Sequence, residues 1–463
     1  MNFINKNKVL SRFDVLFLSF GAMIGWGWVV LSGNWVHTAG SVGATIAFIV
    51  GGILVSFVGL AYAELSSAMP TNGGTMIFAE RGIGRKSAFI AAWGLALCYI
   101  SVVAFEAVAL PTVVEYLFPN YKVGYMYTIN DYDVYLSWVL VGVAGALFVT
   151  IFNFFGVKSA AFLQMVLTIV ISLIGVMLIA GAGVTGSLAD AEPLFVGGVS
   201  GIIVVLVMTP FMFVGFDVIP QTAEEMNIPP KSIGRLLIMS VAFAVIFYIG
   251  VVIAVGIAVD KTILSTSVLP TADAMANIYG SDHFATILIL GGIAGILTSW
   301  NAFIIGGSRI LCSMAEKEMI PAWFGRLHPK NKTPTNAILF IGGLSMLAPL
   351  LGRPMLVWLV DAGGLAVLFA YLIVSIAFLQ LRKNEPDMLR PFKAGNSNIV
   401  GWLAVLLSIG FIVLFFPGMP AALIWPYEWV IFAGWWVIGG LLIYLKRETY
   451  MKSSKDISSS KTM

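Results

Sequence analysis

Gly21-Ala22-Met23-Ile24-Gly25-Trp26-Gly27 interrupts the first long apolar stretch of the chain. Three glycines in seven residues weaken a helix by roughly 1 kcal/mol each relative to alanine. In hydrocarbon, the peptide groups freed by such a break have no water to bond, and each one left unpaired is costly. The break is tolerable only where the freed groups line a cavity or hold a ligand. The stretch therefore marks a small-molecule site near the middle of a bilayer, provided that the rest of the chain spans one.

The composition meets that condition. Of 463 residues, 59% are hydrophobic and 11% charged, against about 25% charged in a soluble domain. A span needs about 20 apolar residues. The sequence reads as twelve: roughly 14–36, 41–67, 88–117, 134–155, 161–184, 198–223, 234–259, 284–315, 335–351, 354–380, 398–417 and 426–445. The expected fold class is an all-α polytopic membrane protein in the cell membrane, with the lipid bilayer as its surroundings and no soluble domain. No cleavable signal peptide is expected, because the first apolar stretch lacks a small-residue cleavage site and runs on as a full span.

The basic residues set the topology. With the N-terminus inside, 23 of the 26 Lys and Arg residues fall in cytoplasmic segments, and Lys122, Lys261 and Arg353 alone fall outside. The positive-inside rule places both termini in the cytoplasm, as segments 1–13 and 446–463. These residues are topological, so no nucleic-acid surface is expected. The outer loops 118–133 and 185–197 are polar or acidic, and the tail MKSSKDISSSKTM (451–463) is expected to be disordered. Cys98 and Cys312 lie in apolar spans as small core residues. His37, His283 and His328 lie in separate loops and form no metal constellation. With no nucleophile motif and no phosphate loop, the chain is not expected to be an enzyme.

A second interruption falls in the sixth span, Thr209-Pro210-Phe211-Met212-Phe213-Val214-Gly215-Phe216-Asp217-Val218-Ile219-Pro220. Two prolines and a glycine punctuate it, and it holds a carboxylate. Spans one and six are five apart. Paired broken helices at matching positions of two five-helix halves point to an inverted-repeat transporter. Five is odd, so the second half enters from the opposite side. The halves are 14–184 and 198–380, and 398–445 adds two helices outside them.

Further stretches are Tyr62-Ala63-Glu64-Leu65-Ser66-Ser67-Ala68-Met69-Pro70-Thr71-Asn72-Gly73-Gly74, Glu224-Glu225 after Asp217, Ser308-Arg309-Ile310-Leu311 with Met314-Ala315, and Leu381-Arg382-Lys383 with Arg390-Pro391-Phe392-Lys393. Together with 14–36 and Gly215-Phe216-Asp217, they resemble, in order from residue 12 to about 393, the amino acid–polyamine–organocation superfamily of transporters, in its amino-acid permease branch. The resemblance implies the five-plus-five fold with helices 1 and 6 discontinuous. It also implies secondary transport of amino acids or related amines, ion-coupled or by exchange. It does not name the cargo.

An amino-acid zwitterion presents a carboxylate and an ammonium. The half-helix after the first break points free N–H groups and a positive dipole end at the cavity, so backbone at Gly25, Trp26 and Gly27 is a cradle for the carboxylate. Carbonyls near Met23 and Ile24 and from Phe213 through Gly215 to Phe216 can accept from the ammonium. Relatives gate the pocket with an aromatic at the span-six break, and Phe216 matches it, with Phe213 as a second wall. Many relatives have serine between the two glycines where this chain has Trp26. Its indole either faces the pocket or packs on a neighbouring helix.

Glu106, near the middle of span three, and Asp217 are intramembrane acids and functional candidates by default. Ionised, each could bind a cation or an amine. Protonated, each could carry a coupling proton. Either could instead bond the unwound backbone. Glu64, Glu224 and Glu225 sit at cytoplasmic helix ends, where a solvated end is expected over a contact with Arg or Lys. Proton-coupled relatives carry a lysine partway along span five. Here that depth falls near Ile171, and the span's lysine, Lys158, sits at the cytoplasmic entrance. Sodium-coupled relatives imply a site at the carbonyls of Gly21 and Ile24 with Gly295, Thr298 and Ser299, unless Thr298 and Ser299 only bond between helices. Na⁺ is the coupling ion expected there, with H⁺ the other candidate and no organic cofactor.

The leading reading is an amino-acid carrier working by alternating access, and the alternative is a carrier of amines or polyamines. A channel is disfavoured because no repeated filter motif or charged pore series is present. The loop between spans three and four holds no cysteine, so no disulfide-linked subunit is expected.

Overall fold

The computed structural model describes residues 8–154, 157–259, 267 and 269–445. Residues 1–7, Lys261 and the tail 446–463 with its five basic residues lie outside them. The helices are α1 (Arg12–Met23), α2 (Gly27–Ala39), α3 (Ser41–Ala68), α4 (Gly74–Gly82), α5 (Arg85–Leu117), α6 (Leu136–Phe154), α7 (Val157–Thr185), α8 (Gly198–Met212), α9 (Val218–Gln221), α10 (Pro230–Ala258), α11 (Pro270–Tyr279), α12 (Asp282–Glu316), α13 (Thr335–Leu347), α14 (Met355–Asn384), α15 (Ile399–Val413) and α16 (Tyr427–Leu445). Among the described residues, nine stretches are long and apolar enough to cross a membrane, with α1 and α2 taken as one. Shorter apolar helices at Gly198–Met212, Thr335–Leu351 and Ile399–Val413 stand where the sequence puts spans six, nine and eleven. Each of the twelve expected spans meets a helix, so the chain is an all-α, multi-pass membrane protein.

Both interruptions are real breaks. α1 stops at Met23, and the Ile24 N–H still reaches back to the Phe20 carbonyl. α2 restarts at Gly27 with no side chain capping its first amides; Val29 N–H donates to the Trp26 carbonyl at 2.9 Å, and the amides ahead of it have no side-chain cap. α8 stops at Met212, and the backbone turns through Gly215 at φ +137° before the one-turn α9. Only glycine holds that backbone without strain.

A helix apolar on every side belongs in the interior. In α5 94% of the apolar window is buried, against 17% in α16, which puts α5 at the centre and α16 at the margin. α5 runs between α12 and α14, α3 lies along α10, and α1 is held among α7, α10 and α12. The polar loop at 118–133 carries one feature that its composition does not suggest. Tyr125–Ile129 (β1) and Tyr132–Tyr135 (β2) pair antiparallel. The two-residue turn between them, Asn130 at φ 44° and Asp131 at φ 61°, matches a type I′ hairpin.

The opposite face, which carries the N-terminal segment, is tied shut. Ser11 and Asp14 form a capping box that starts α1. Just before it, the Val9 and Leu10 amides donate to the Glu225 carbonyl at 2.9 and 3.0 Å, and the Asn227 amide donates to the Leu10 carbonyl at 2.9 Å.

Candidate functional site

The two breaks meet at a cavity. Met23, Gly25 and Gly27 come from the first break, and Phe211, Met212 and Val214 from the second. Val102, Phe105 and Glu106 of α5, Tyr248 of α10, and Ser299 and Phe303 of α12 close the walls. Its volume is about 20 Å³, room for one water-sized body. An amino acid fits only when the helices part.

Glu106 is 2% exposed. Its Oε1 accepts a hydrogen bond from Ser299 Oγ. Gly25 lies flat against this pair, because a Cβ there would overlap the Ser299 hydroxyl and come to 3.2 Å from Glu106 Oε1. Among the described residues, Glu106 Oε2 has no hydrogen-bond partner. A buried acceptor without a donor is expensive, and this one lies on the cavity wall. Tyr248 donates its hydroxyl to the Met23 carbonyl at 2.8 Å and so fixes the open end of α1. Sequence reading passed over Tyr248, although a polar tip within the apolar run of α10 was the available signal.

Other residues named from the sequence stand behind the wall. Trp26 is fully buried, with its ring pressed onto Gly292 of α12. Ile24 is buried at the end of α1. Phe213 packs edge-on to Tyr248 with centroids 5.2 Å apart, and Phe216 packs against Tyr62 and Tyr371 at 5.5 and 5.4 Å. Gly215 abuts Ala22 and Met23. Asp217 is also fully buried. Its Oδ1 accepts the Gly215 N–H at 2.8 Å and its Oδ2 the Tyr99 hydroxyl at 2.7 Å, so it braces the unwound backbone. The reason is local: α8 ends at Met212 and Gly215 resets the direction of the chain, which turns Phe213 and Phe216 to either side and leaves Phe211, Met212 and Val214 facing the cavity.

The cation candidates lie at the end of α1 and on α12. A Cβ on Gly295 would come to 3.1 Å from the Gly25 carbonyl and 3.4 Å from Ile171, so Ile171 does reach this depth. Thr298 Oγ1 donates to the Gly295 carbonyl at 2.8 Å, and Ser299 Oγ lies 3.0 Å from the same carbonyl. Gly21 instead faces Thr168 and Gln164 of α7, and Gln164 Oε1 accepts from Asn301 Nδ2 at 3.0 Å. Hydroxyl and carbonyl oxygens are the ligand type that a hard cation prefers.

At the N-terminal face the expectation of solvated acids is corrected. Glu64 is fully buried. It accepts from Arg382 Nε at 2.9 Å and from the Ala394 amide at 2.8 Å, and it pairs with Arg390 at 3.1 Å. Glu225 pairs with Arg309 at 3.0 Å, and the Glu224 amide donates to Asn72 Oδ1 at 2.9 Å. Two further acids, the fully buried Glu428 and the partly buried Asp361, escaped the sequence reading. Asp361 of α14 and Glu428 of α16 are neighbours, and Glu428 Oε2 accepts the Ile424 amide at 2.6 Å.

Comparison with known proteins agrees with this geometry. The family model described as Amino acid permease matches residues 10–442. The branched-chain amino acid permease BcaP of Bacillus subtilis (strain 168) is 28% identical, over 94% of this chain and 92% of its own. The methylthioribose transporter of the same organism is 26% identical, over 95% and 93%. Its aspartate-proton symporter is 26% identical, over 87% and 78%. A chain with two broken helices around a buried cavity, matched by this family over nearly its whole length, belongs to the amino acid permeases.

Proposed function

We propose that this permease is a secondary carrier of amino acids that opens its cavity to one face of the cell membrane at a time, with both termini in the cytoplasm. The basic residues of the inner segments support that orientation. Helices 14–184 and 198–380 act as two inverted halves, with 398–445 outside them. The pairing of α3 with α10 and of α5 with α12, each five spans apart, supports this division.

One observation carries the binding mode: Glu106, one of whose oxygens has no hydrogen-bond partner among the described residues, and Gly27, at the uncapped start of α2, line one cavity. The amides and the helix dipole take the carboxylate of the cargo, and Glu106 Oε2 takes its ammonium. The oxygen satisfied by Ser299 holds the glutamate in place. Coupling runs through a cation at the same junction. Sodium would be held by Thr298, Ser299 and the carbonyl of Gly25, and a proton would reside on Glu106. The printed functions of the three relatives named above differ from one another, so identity at this level leaves the cargo open.

The test is uptake into proteoliposomes. Accumulation that is lost when choline replaces sodium assigns sodium, whereas accumulation driven by a pH gradient without sodium assigns the proton. Glu106→Gln should weaken amino-acid binding about ten- to a hundredfold, the range for one hydrogen bond to a charged group. Unchanged affinity removes Glu106 from the site. Binding of decarboxylated amines as tight as that of the parent amino acids would favour the amine carrier.

A further inference from the structure

We infer that the cargo carries an uncharged, apolar side chain of variable shape, an inference that rests on the amino-acid reading above. Among the described residues that line the cavity, three have polar side chains: Glu106, Tyr248 and Ser299. Tyr248 spends its hydroxyl proton on the Met23 carbonyl. Ser299 spends its own on Glu106 Oε1. Glu106 Oε2 is taken once the ammonium of the cargo arrives. No side-chain donor is then left to meet a polar group further along the cargo, and the acceptor lone pairs that remain are those of two neutral hydroxyls, which do not offset the charge of an ionised group.

The rest of the wall is hydrocarbon, ring and thioether. Val102 and Phe105 form one side, Phe211 another and Phe303 a third. A charged side chain brought among them would lose its hydration without a partner, which is the costliest arrangement a buried group can have. An amide or hydroxyl would lose less but gain nothing. Asp217, which could have paired with a cationic cargo, is turned away and saturated by Gly215 and Tyr99. The wall is also adjustable. Met212 lays its sulfur over Gly27, with Sδ 2.9 Å from where a Cβ would stand, and Met23 borders the same space. Unbranched thioethers repack around irregular apolar shapes at little cost. The site therefore selects for absence of polarity more sharply than for one outline.

The experiment is a thermal-shift titration of the purified full chain with the L-amino acids. Ligands that bind the folded state raise the melting temperature by mass action. Valine, leucine, isoleucine and methionine should stabilise the protein. Aspartate, glutamate, lysine and arginine should require concentrations at least about a hundredfold higher. Stabilisation by charged amino acids at concentrations like those of leucine overturns this inference but leaves the carrier reading standing. Stabilisation by no amino acid at all overturns the carrier reading itself. Phe303→Ala gives an independent check, since its melting temperature without ligand reports folding. It should move the preference toward phenylalanine and tryptophan, and an unchanged order of preference in the folded variant would take Phe303 out of the wall.

Discussion

The indole of Trp26 brings about 150–250 Å² of apolar surface to a point where the backbone is already open. Facing the cavity, it would compete with the cargo for a space that holds about one water-sized body as it stands. It lies instead on Gly292, the one residue type that lets a ring approach the axis of α12 so closely. Its role follows from packing: Trp26→Ala leaves a void between α2 and α12 and should cost about 3–5 kcal/mol of stability. The order of preference among apolar amino acids should stay as in the parent. A lowered melting temperature with unchanged ligand ranking is the expected result, and a changed ranking with unchanged stability would put the indole in the pocket. Glu106 is the contrasting case. It is buried as deeply, yet one oxygen is left without a donor, and an unpaired acceptor in a cavity wall is better explained by a ligand than by the fold.

The breaks themselves were legible because glycine and proline act locally. Gly21, Gly25 and Gly27 weaken one helix wherever they occur in it, and Pro210, Gly215 and Pro220 do the same for the other, so both sites and their separation by five spans could be read from the chain. Which side chains face inward could not. Helical periodicity ends at Met212, and the left-handed Gly215 has no periodicity to extrapolate. The sequence thus pointed to Phe213 and Phe216, while the structure turns Phe211, Met212 and Val214 to the cavity. Asp217 belongs to this element. Asp217→Ala would leave the Gly215 N–H and the Tyr99 hydroxyl buried without an acceptor, at about 1–3 kcal/mol for each. Both ligand affinity and melting temperature should fall, because the brace shapes the span-six wall. Asp217→Asn keeps one acceptor oxygen and should recover part of each. A variant with normal stability and weak binding would assign Asp217 to the cargo instead.

Across the whole molecule, ion pairs at the N-terminal face fasten segments that the sequence sets far apart, which is why they could not be read in advance. Glu64 and Arg382 are 318 residues apart, and nothing local to Tyr62-Ala63-Glu64 says whether that carboxylate meets water or a guanidinium. Burial decides what each pair is worth. The Arg81–Glu385 pair has side chains 50% and 33% exposed, and such exposed pairs contribute about 0–1 kcal/mol. In the Glu64 cluster the glutamate side chain is 0% exposed and those of Arg382 and Arg390 are 7% and 8%. Removing its one carboxylate strands two cations out of water, for which about 3–5 kcal/mol is the usual loss on breaking a buried pair. Glu64 accepts from the Ala394 amide as well, so it also holds the segment after α14 across the end of α3. Glu64→Gln should therefore lower the melting temperature far more than Arg81→Ala, and it should expose the 385–398 segment to protease in detergent solution. Equal, small effects of the two substitutions would mean that water reaches the cluster and that this face is fastened elsewhere, by ties such as the Val9–Leu10 bonds to Glu225, the Arg309 pair and the Asn72–Glu224 bonds.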